Sequence, residues 1–238
     1  VDIKYVIDNV AKMIAGDIVW SDSPGYAMRK WREIFKFSQN DVAKIMGISS
    51  SVIADYERGK RAPGSNFVKK FVSALIELDG KREYAVVKEL AKSFTLNLPY
   101  VEDLMNFSRP IDSYLVVKAI DGIVPTSYFK PDVKVYGYLV ADSIKAIMSL
   151  SGLEFYQFLA LSIGRAFVFT KVTTGRSPLI ALKIAPIRPP LIILHRPIRL
   201  DPLALYLAEK EQINLVVSTK GSEDEVIEAL RSLVVQLE

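Results

Sequence analysis

The sequence predicts an all-helical domain followed by a mixed α/β domain. Three observations carry this prediction. Between residues 23 and 80, apolar side chains recur at spacings of three and four, punctuated by Ser-Pro, Ser and Gly signals that start and stop helices. From about residue 133 the pattern alternates between short β-branched or aromatic runs and helical stretches. Basic charge is concentrated in the first region: residues 22–82 carry 12 Lys or Arg against 7 Asp or Glu, whereas residues 83–238 carry 17 of each.

The elements follow in order. Ile3, Val6, Ile7, Val10, Met13 and Ile14 lie on one face of an N-terminal amphipathic helix, which packs on its own domain or on a second subunit. Gly16–Trp20 reads as a short extended piece. Ser23-Pro24 starts a helix reaching about Lys36, with serine at the cap and proline at the first helical position. Ser38 caps a short helix over 39–46, which Gly47 ends in the left-handed conformation. Ser49 caps another over 50–58, and Gly59 ends it. A longer helix spans 65–79, with Phe67, Val68, Phe71, Val72, Leu75 and Ile76 inward. Residues 81–111 read as a helical connector, with helices near 83–94 and 100–107 separated by Asn97-Leu98-Pro99. Segment 110–124 fits helix or strand equally.

Residues 133–140 then read as a strand, 141–150 and 153–162 as helices, and 166–172 and 179–184 as β-rich segments. A buried strand at 191–194, a helix at 201–211, a strand at 213–217 and a helix at 223–236 complete the chain, the last part forming a βαβ unit with a right-handed crossover. The domain boundaries expected are 1–22, 23–80, 81–111 and 112–238.

Two short helices meeting across Gly47 form a helix-turn-helix, whose second helix suits the major groove. The run Ser38-Gln39, Val42-Ala43, Gly47-Ile48-Ser49, Ile53, Tyr56-Glu57-x-Gly59-Lys60-Arg61-x-Pro63 resembles the Xre/Cro, phage-repressor-like helix-turn-helix family over roughly residues 23–80. The resemblance implies a lambda-repressor-like domain that binds double-stranded DNA. Its implied DNA-contacting residues are Gln39, Ser49, Ser50, Ser51, Ala54, Asp55, Arg58, Lys60 and Arg61. Gln39 would bind a phosphate and brace the next helix. Ser50, Ser51 and Asp55 occupy positions that reach base edges. Asp55 departs from the amide or arginine often found there: a carboxylate accepts from cytosine N4 but repels phosphate. Glu57 is implied to pair with Arg32 as an internal strut rather than touch DNA.

Composition narrows the function further. Half of the 238 residues are hydrophobic and 24% are charged, as in a packed globular protein. With no cysteine, disulfides, thiolate metal sites and cysteine nucleophiles are excluded. One histidine, His195, excludes a histidine-rich metal site. Neither a transmembrane run nor a signal pattern is evident, so a cytoplasmic protein without membrane contact is expected. The layout resembles a group of archaeal two-domain regulators, and the lack of cysteine fits a thermophile.

Candidate chemistry in the second domain is sparse. The segment Thr173-Thr174-Gly175-Arg176-Ser177 concentrates hydroxyls, a glycine and a guanidinium that suit a phosphate or carboxylate, although a polar hairpin turn is the simpler explanation. His195-Arg196 follows a buried strand at a sheet edge where ligands commonly sit. These seven residues form the candidate effector site. Ser218–Ser222 precedes a helix whose first turn, Glu223-Asp224-Glu225, would repel an anion, so capping explains it.

The reading that results is a homodimeric, sequence-specific transcriptional regulator. It needs no cofactor or metal and is not an enzyme. Its C-terminal domain is expected to dimerise and to sense a small-molecule effector. Two alternatives stay open: an enzymatic α/β domain using Arg176 and His195, and an antitoxin-like module that binds a protein.

Overall fold

The computed structural model describes residues 3–93, 98–185 and 187–235. The chain divides into two compact units, residues 2–97 and 98–238.

The first unit is helical: α1 (Ile3–Trp20), α2 (Pro24–Ile34), α3 (Gln39–Met46), α4 (Ser50–Glu57), α5 (Ser65–Gly80) and α6 (Ala85–Ser93). Its core joins Val10, Ile14 and Ile18 of α1 to Met28 and Trp31 of α2, Val42 and Ala43 of α3, Ile53 of α4, and Phe71 and Leu75 of α5. The N-terminal helix is therefore part of this domain rather than a separate segment. Gly16–Trp20 is helical, not extended, because Ile18 falls one turn after Ile14 on the buried stripe. Asp79 is fully buried and accepts the Val86 and Val87 amides at 3.1 and 2.9 Å, capping α6 and tying it to the end of α5.

The second unit is a six-stranded mixed sheet. Its elements are β1 (Val101–Asp112), α7 (Ser113–Ala119), β2 (Gly122–Ile123), β3 (Lys134–Asp142), α8 (Ser143–Ser149), α9 (Gly152–Ala160), β4 (Ala166–Thr170), α10 (Arg176–Ile184), β5 (Leu191–His195), α11 (Pro202–Lys210), β6 (Leu215–Ser218) and α12 (Glu223–Val235). Strand order is β1-β3-β4-β5-β6-β2. The four central strands are parallel; β1 and β2 pair antiparallel at the two edges. Val116 of α7, Ile120 just after it, and Val226, Leu230 and Val234 of α12 cover the sheet face formed by Tyr138, Val140, Val168, Ile193 and Val216. The alternate residues, among them Leu139, Phe167, Ile192 and Leu215, are buried on the opposite face, where Phe158 of α9 meets Phe167 edge-on at 5.2 Å.

Further expectations require correction. Residues 100–107 are not helical, and 81–111 is not one connector: α6 belongs to the first unit and β1 to the second. Val101, Leu104 and Met105 carry helix-like spacing, but pairing with β3 from Val101↔Ala141 to Asp112↔Lys134 overrides it. Residues 179–184 are helical rather than β-rich. They lie in the connection between parallel strands β4 and β5, and such a connection must cross the sheet, usually as a helix. Residues 173–175 consequently form a strand-to-helix loop and 176–178 open α10, instead of a hairpin turn. Gly175, at φ 76°, occupies its left-handed corner. Segment 110–124 resolves into the end of β1, α7 and β2.

Candidate nucleic-acid interface and the sheet-edge cleft

The helix-turn-helix is set by local chemistry first. Ser38 and Asp41 form a reciprocal capping box at the start of α3: the Asp41 amide donates to the Ser38 hydroxyl at 3.1 Å, and the Ser38 amide donates to Asp41 at 2.8 Å. Gly47, at φ 67°, ends α3, and the Ile48 amide bonds back to the Ala43 carbonyl. Ala43 is buried, as its small side chain allows where α3 and α4 approach. Ser49 stands at the cap position of α4 without capping it; its hydroxyl lies 2.8 Å from that of Ser51 instead.

A polar cluster then fixes α4 against the domain. Arg32 Nε and Nη2 donate to the two Glu57 carboxylate oxygens at 2.6 and 2.9 Å, and Nη1 donates to the Phe37 carbonyl at 2.8 Å. Gln39 Nε2 donates to Glu57 at 2.8 Å. One buried carboxylate therefore ties α2 and α3 to the end of α4. Pairing with Glu57 raises the Arg32 pKa. Tyr56 stacks on Phe67 at 3.8 Å, joining α4 to α5. Gly25 lies so close to α4 that a Cβ there would sit 2.0 Å from the Tyr56 carbonyl oxygen. Neither periodicity nor motif pointed to Gly25; Pro24 beside it reads only as a helix start.

Ser50, Ser51, Arg58, Lys60 and Arg61 are exposed, and Ala54 and Asp55 are half-buried. Asp55 accepts from Arg58 at 2.9 Å and lies 3.5 Å from Lys60. Desolvation pushes its carboxyl upward, but the hydrogen bond from Arg58 and the charge of Lys60 prevail and hold it below the usual aspartate value. The surface of α4 thus presents hydroxyls at its start and cations at its far end.

The candidate effector residues do not form one site. Arg176 pairs with Asp201 at 2.9 Å, while the Thr173 and Thr174 carbonyls accept the Arg199 and Asp201 amides. Ser177 lines an apolar groove beside Pro178. His195 and Arg196 instead share a cleft of about 440 Å³ with Lys171, Val172, Gly221, Ser222, Glu223 and Asp224. Parallel register brings the ends of β4, β5 and β6 to one sheet edge, so Thr170, His195 and Ser218 lie there together. His195 is 6% exposed, and its Nδ1 lacks a hydrogen-bond partner. Burial pushes its imidazole below the ordinary value of 6.5. Lys171, which sequence reasoning missed, bonds Asp142 at 2.7 Å and lies within 3.8 Å of Glu102 and Glu223. Its partners come from β1, β3 and α12, so only the fold could reveal it. Ser222 accepts the Glu225 amide at 3.2 Å, as expected of a capping loop. Among the described residues no cluster of His, Asp or Glu suits a metal ion, and no helix is long and apolar enough to cross a membrane.

Comparison with known proteins agrees with this geometry. Residues 28–76 match the Helix-turn-helix family. The chain is 42% identical over 225 residues to an uncharacterized HTH-type transcriptional regulator of Archaeoglobus fulgidus, covering 94% of this chain and 96% of that one. The chain belongs to this family of HTH-type regulators. A second member, from Methanocaldococcus jannaschii and also named as an uncharacterized HTH-type transcriptional regulator, is 36% identical over 217 residues, covering 89% and 90% of the two chains. Both matches extend far beyond the helix-turn-helix, so the α/β unit is shared as part of the same HTH-type regulator architecture. No solved structure matches the chain.

Proposed function

We propose that this HTH-type regulator binds DNA sequence-specifically as a homodimer, each subunit laying α4 in a major groove. The observation that carries this reading is the α4 surface: exposed Ser50 and Ser51 stand at one end and Arg58, Lys60 and Arg61 at the other, on a helix held rigid from behind by Glu57. Hydroxyls and Asp55 would discriminate base edges, while the cations fix register on phosphates. A dimer would read two half-sites about 10 bp apart, or a multiple of that spacing. Selection of bound sequences from a random oligonucleotide pool, followed by footprinting, tests the reading. An inverted repeat with that spacing is expected; uniform recovery of all sequences would overturn it.

The α/β unit is the effector-sensing part in this reading. Buried His195, with its unpartnered Nδ1, lies beside Lys171 and Arg196 and favours the sheet-edge cleft as the place where a small polar molecule enters. Such a molecule would shift DNA affinity through its differential affinity for two arrangements of the dimer. His195→Phe should abolish any ligand response while leaving DNA binding without ligand unchanged.

A further inference from the structure

The sheet-edge cleft brings together groups that the fold leaves without partners. Its two cations each follow a strand of the same parallel pair, Lys171 after β4 and Arg196 after β5. Both take left-handed backbone, at φ 53° and 42°, a conformation uncommon for residues that carry a side chain. Lys171 is committed to Asp142 at 2.7 Å. Arg196 Nη1 donates to the Gly221 carbonyl, but the guanidinium has no carboxylate partner among the described residues. Asp224 lines the same cleft from the first turn of α12 and has no cation partner among them, so it does not pair with Arg196 either. His195 also lines the cleft, 6% exposed, with its buried Nδ1 unpartnered.

From these features we infer that the cleft binds a free amino acid, the carboxylate on Arg196 and the ammonium between Asp224 and His195. The inference rests on the effector-cleft reading and names the ligand class for it. Charge decides the class. The lining sets two cations, Lys171 and Arg196, against two anions, Glu223 and Asp224. A ligand of one sign meets like charge on that wall; a small zwitterion matches both signs. A guanidinium presents a planar fork that suits a carboxylate, and Nε and Nη2 of Arg196 are not engaged. A buried polar atom without a partner is uncommon in a folded protein, and a bound polar group supplies what His195 lacks. Burial keeps that ring neutral, so one of its nitrogens accepts an ammonium N–H. At about 440 Å³ the cleft is at the small end of ligand pockets, as a compact ligand requires.

The test is isothermal titration calorimetry on the full chain. Its probes are the standard amino acids, β-alanine and 4-aminobutyrate, each set against the matching carboxylic acid without the amine and the matching amine without the carboxylate. At least one amino acid is expected to bind with a Kd below ~1 mM, and each single-signed analogue at least ~10-fold more weakly. Arg196→Gly, which suits left-handed backbone, and Asp224→Asn change exposed positions and should retain the fold by circular dichroism and melting. Each should weaken amino-acid binding at least ~10-fold. If inorganic phosphate or an amine-free carboxylate binds as tightly as any amino acid, and His195→Phe removes that binding, the inference is overturned and the effector cleft stands. An amino acid whose affinity is unchanged by His195→Phe, Arg196→Gly and Asp224→Asn alike binds elsewhere and overturns both. No binding by any amino acid overturns the inference alone.

Discussion

Arg32 and Glu57, 25 positions apart, meet as a two-point ion pair inside the helical unit, with the Glu57 side chain only 2% exposed. Gln39 completes the carboxylate's shell, so three helices converge on one acid. Removing one partner leaves a buried charge unmatched. Arg32→Ala is expected to cost about 3–5 kcal/mol of stability, measured by urea denaturation. Glu57→Gln keeps the shape and should cost less than Glu57→Ala. DNA affinity should fall with both substitutions, because each loosens the seat of α4.

Gly25 and Gly16 make opposite predictions. A Cβ at Gly25 would collide with the α4 backbone, which cannot move aside as a side-chain tip would. Gly25→Ala should destabilise by roughly 1–3 kcal/mol, the usual cost of overpacking, and should displace α4, weakening DNA binding. Gly16 lies within α1, and a Cβ there would meet open space. Gly16→Ala should stabilise by about 0.5–1 kcal/mol through its better helix propensity. Thermal melting of the two variants checks both signs.

Asp55 holds Arg58 and Lys60 in a local cluster. Asp55→Asn should release them to phosphates and remove a carboxylate from the DNA face. Affinity for random DNA should rise, and the slope of log affinity against log salt should steepen by about 0.9 per cation gained. Discrimination between operator and random DNA should narrow. Fluorescence anisotropy across a salt series measures all three.

His195 sets a pH dependence of stability. Its folded pKa lies below 6.5, so the unfolded chain binds the proton more readily. Its contribution to stability is fully present above 6.5 and is lost as pH falls through the folded value. Melting of the native chain should therefore weaken below pH 6.5. His195→Phe should flatten that part of the profile. The raised pKa of Glu102, caused by its burial, works in the opposite direction but is common to both proteins.

Much of the helical unit was legible because its signals are local. Ser38 and Asp41 sit three residues apart at a helix start, Gly47 marks its end, and the stripe through Val42, Ala43 and Ile53 needs no distant partner to be recognised. The Arg32–Glu57 pair could be placed only through the family resemblance, since nothing in the spacing itself joins those positions. The second unit was less legible where long-range pairing decides the outcome. Val101–Asp112 becomes a strand because β3 lies beside it, and Leu179–Ile184 becomes a helix because β4 and β5 run parallel. The candidate effector residues were grouped by composition, whereas the fold pairs Arg176 with Asp201 and places His195 with Lys171. Lys171 gathers carboxylates from three separate elements, a cluster that no single stretch of sequence displays.

The central claim is that α4 engages the duplex while Lys60 and Arg61 hold its phosphates. Operator affinity measured from 50 to 300 mM salt tests it most directly, comparing the native chain with Lys60→Ala/Arg61→Ala. The native slope should be steep, and the double variant should be shallower by about 2, near 0.9 for each phosphate no longer neutralised. A native affinity indifferent to salt, or a slope that the double variant leaves unchanged, would contradict the account.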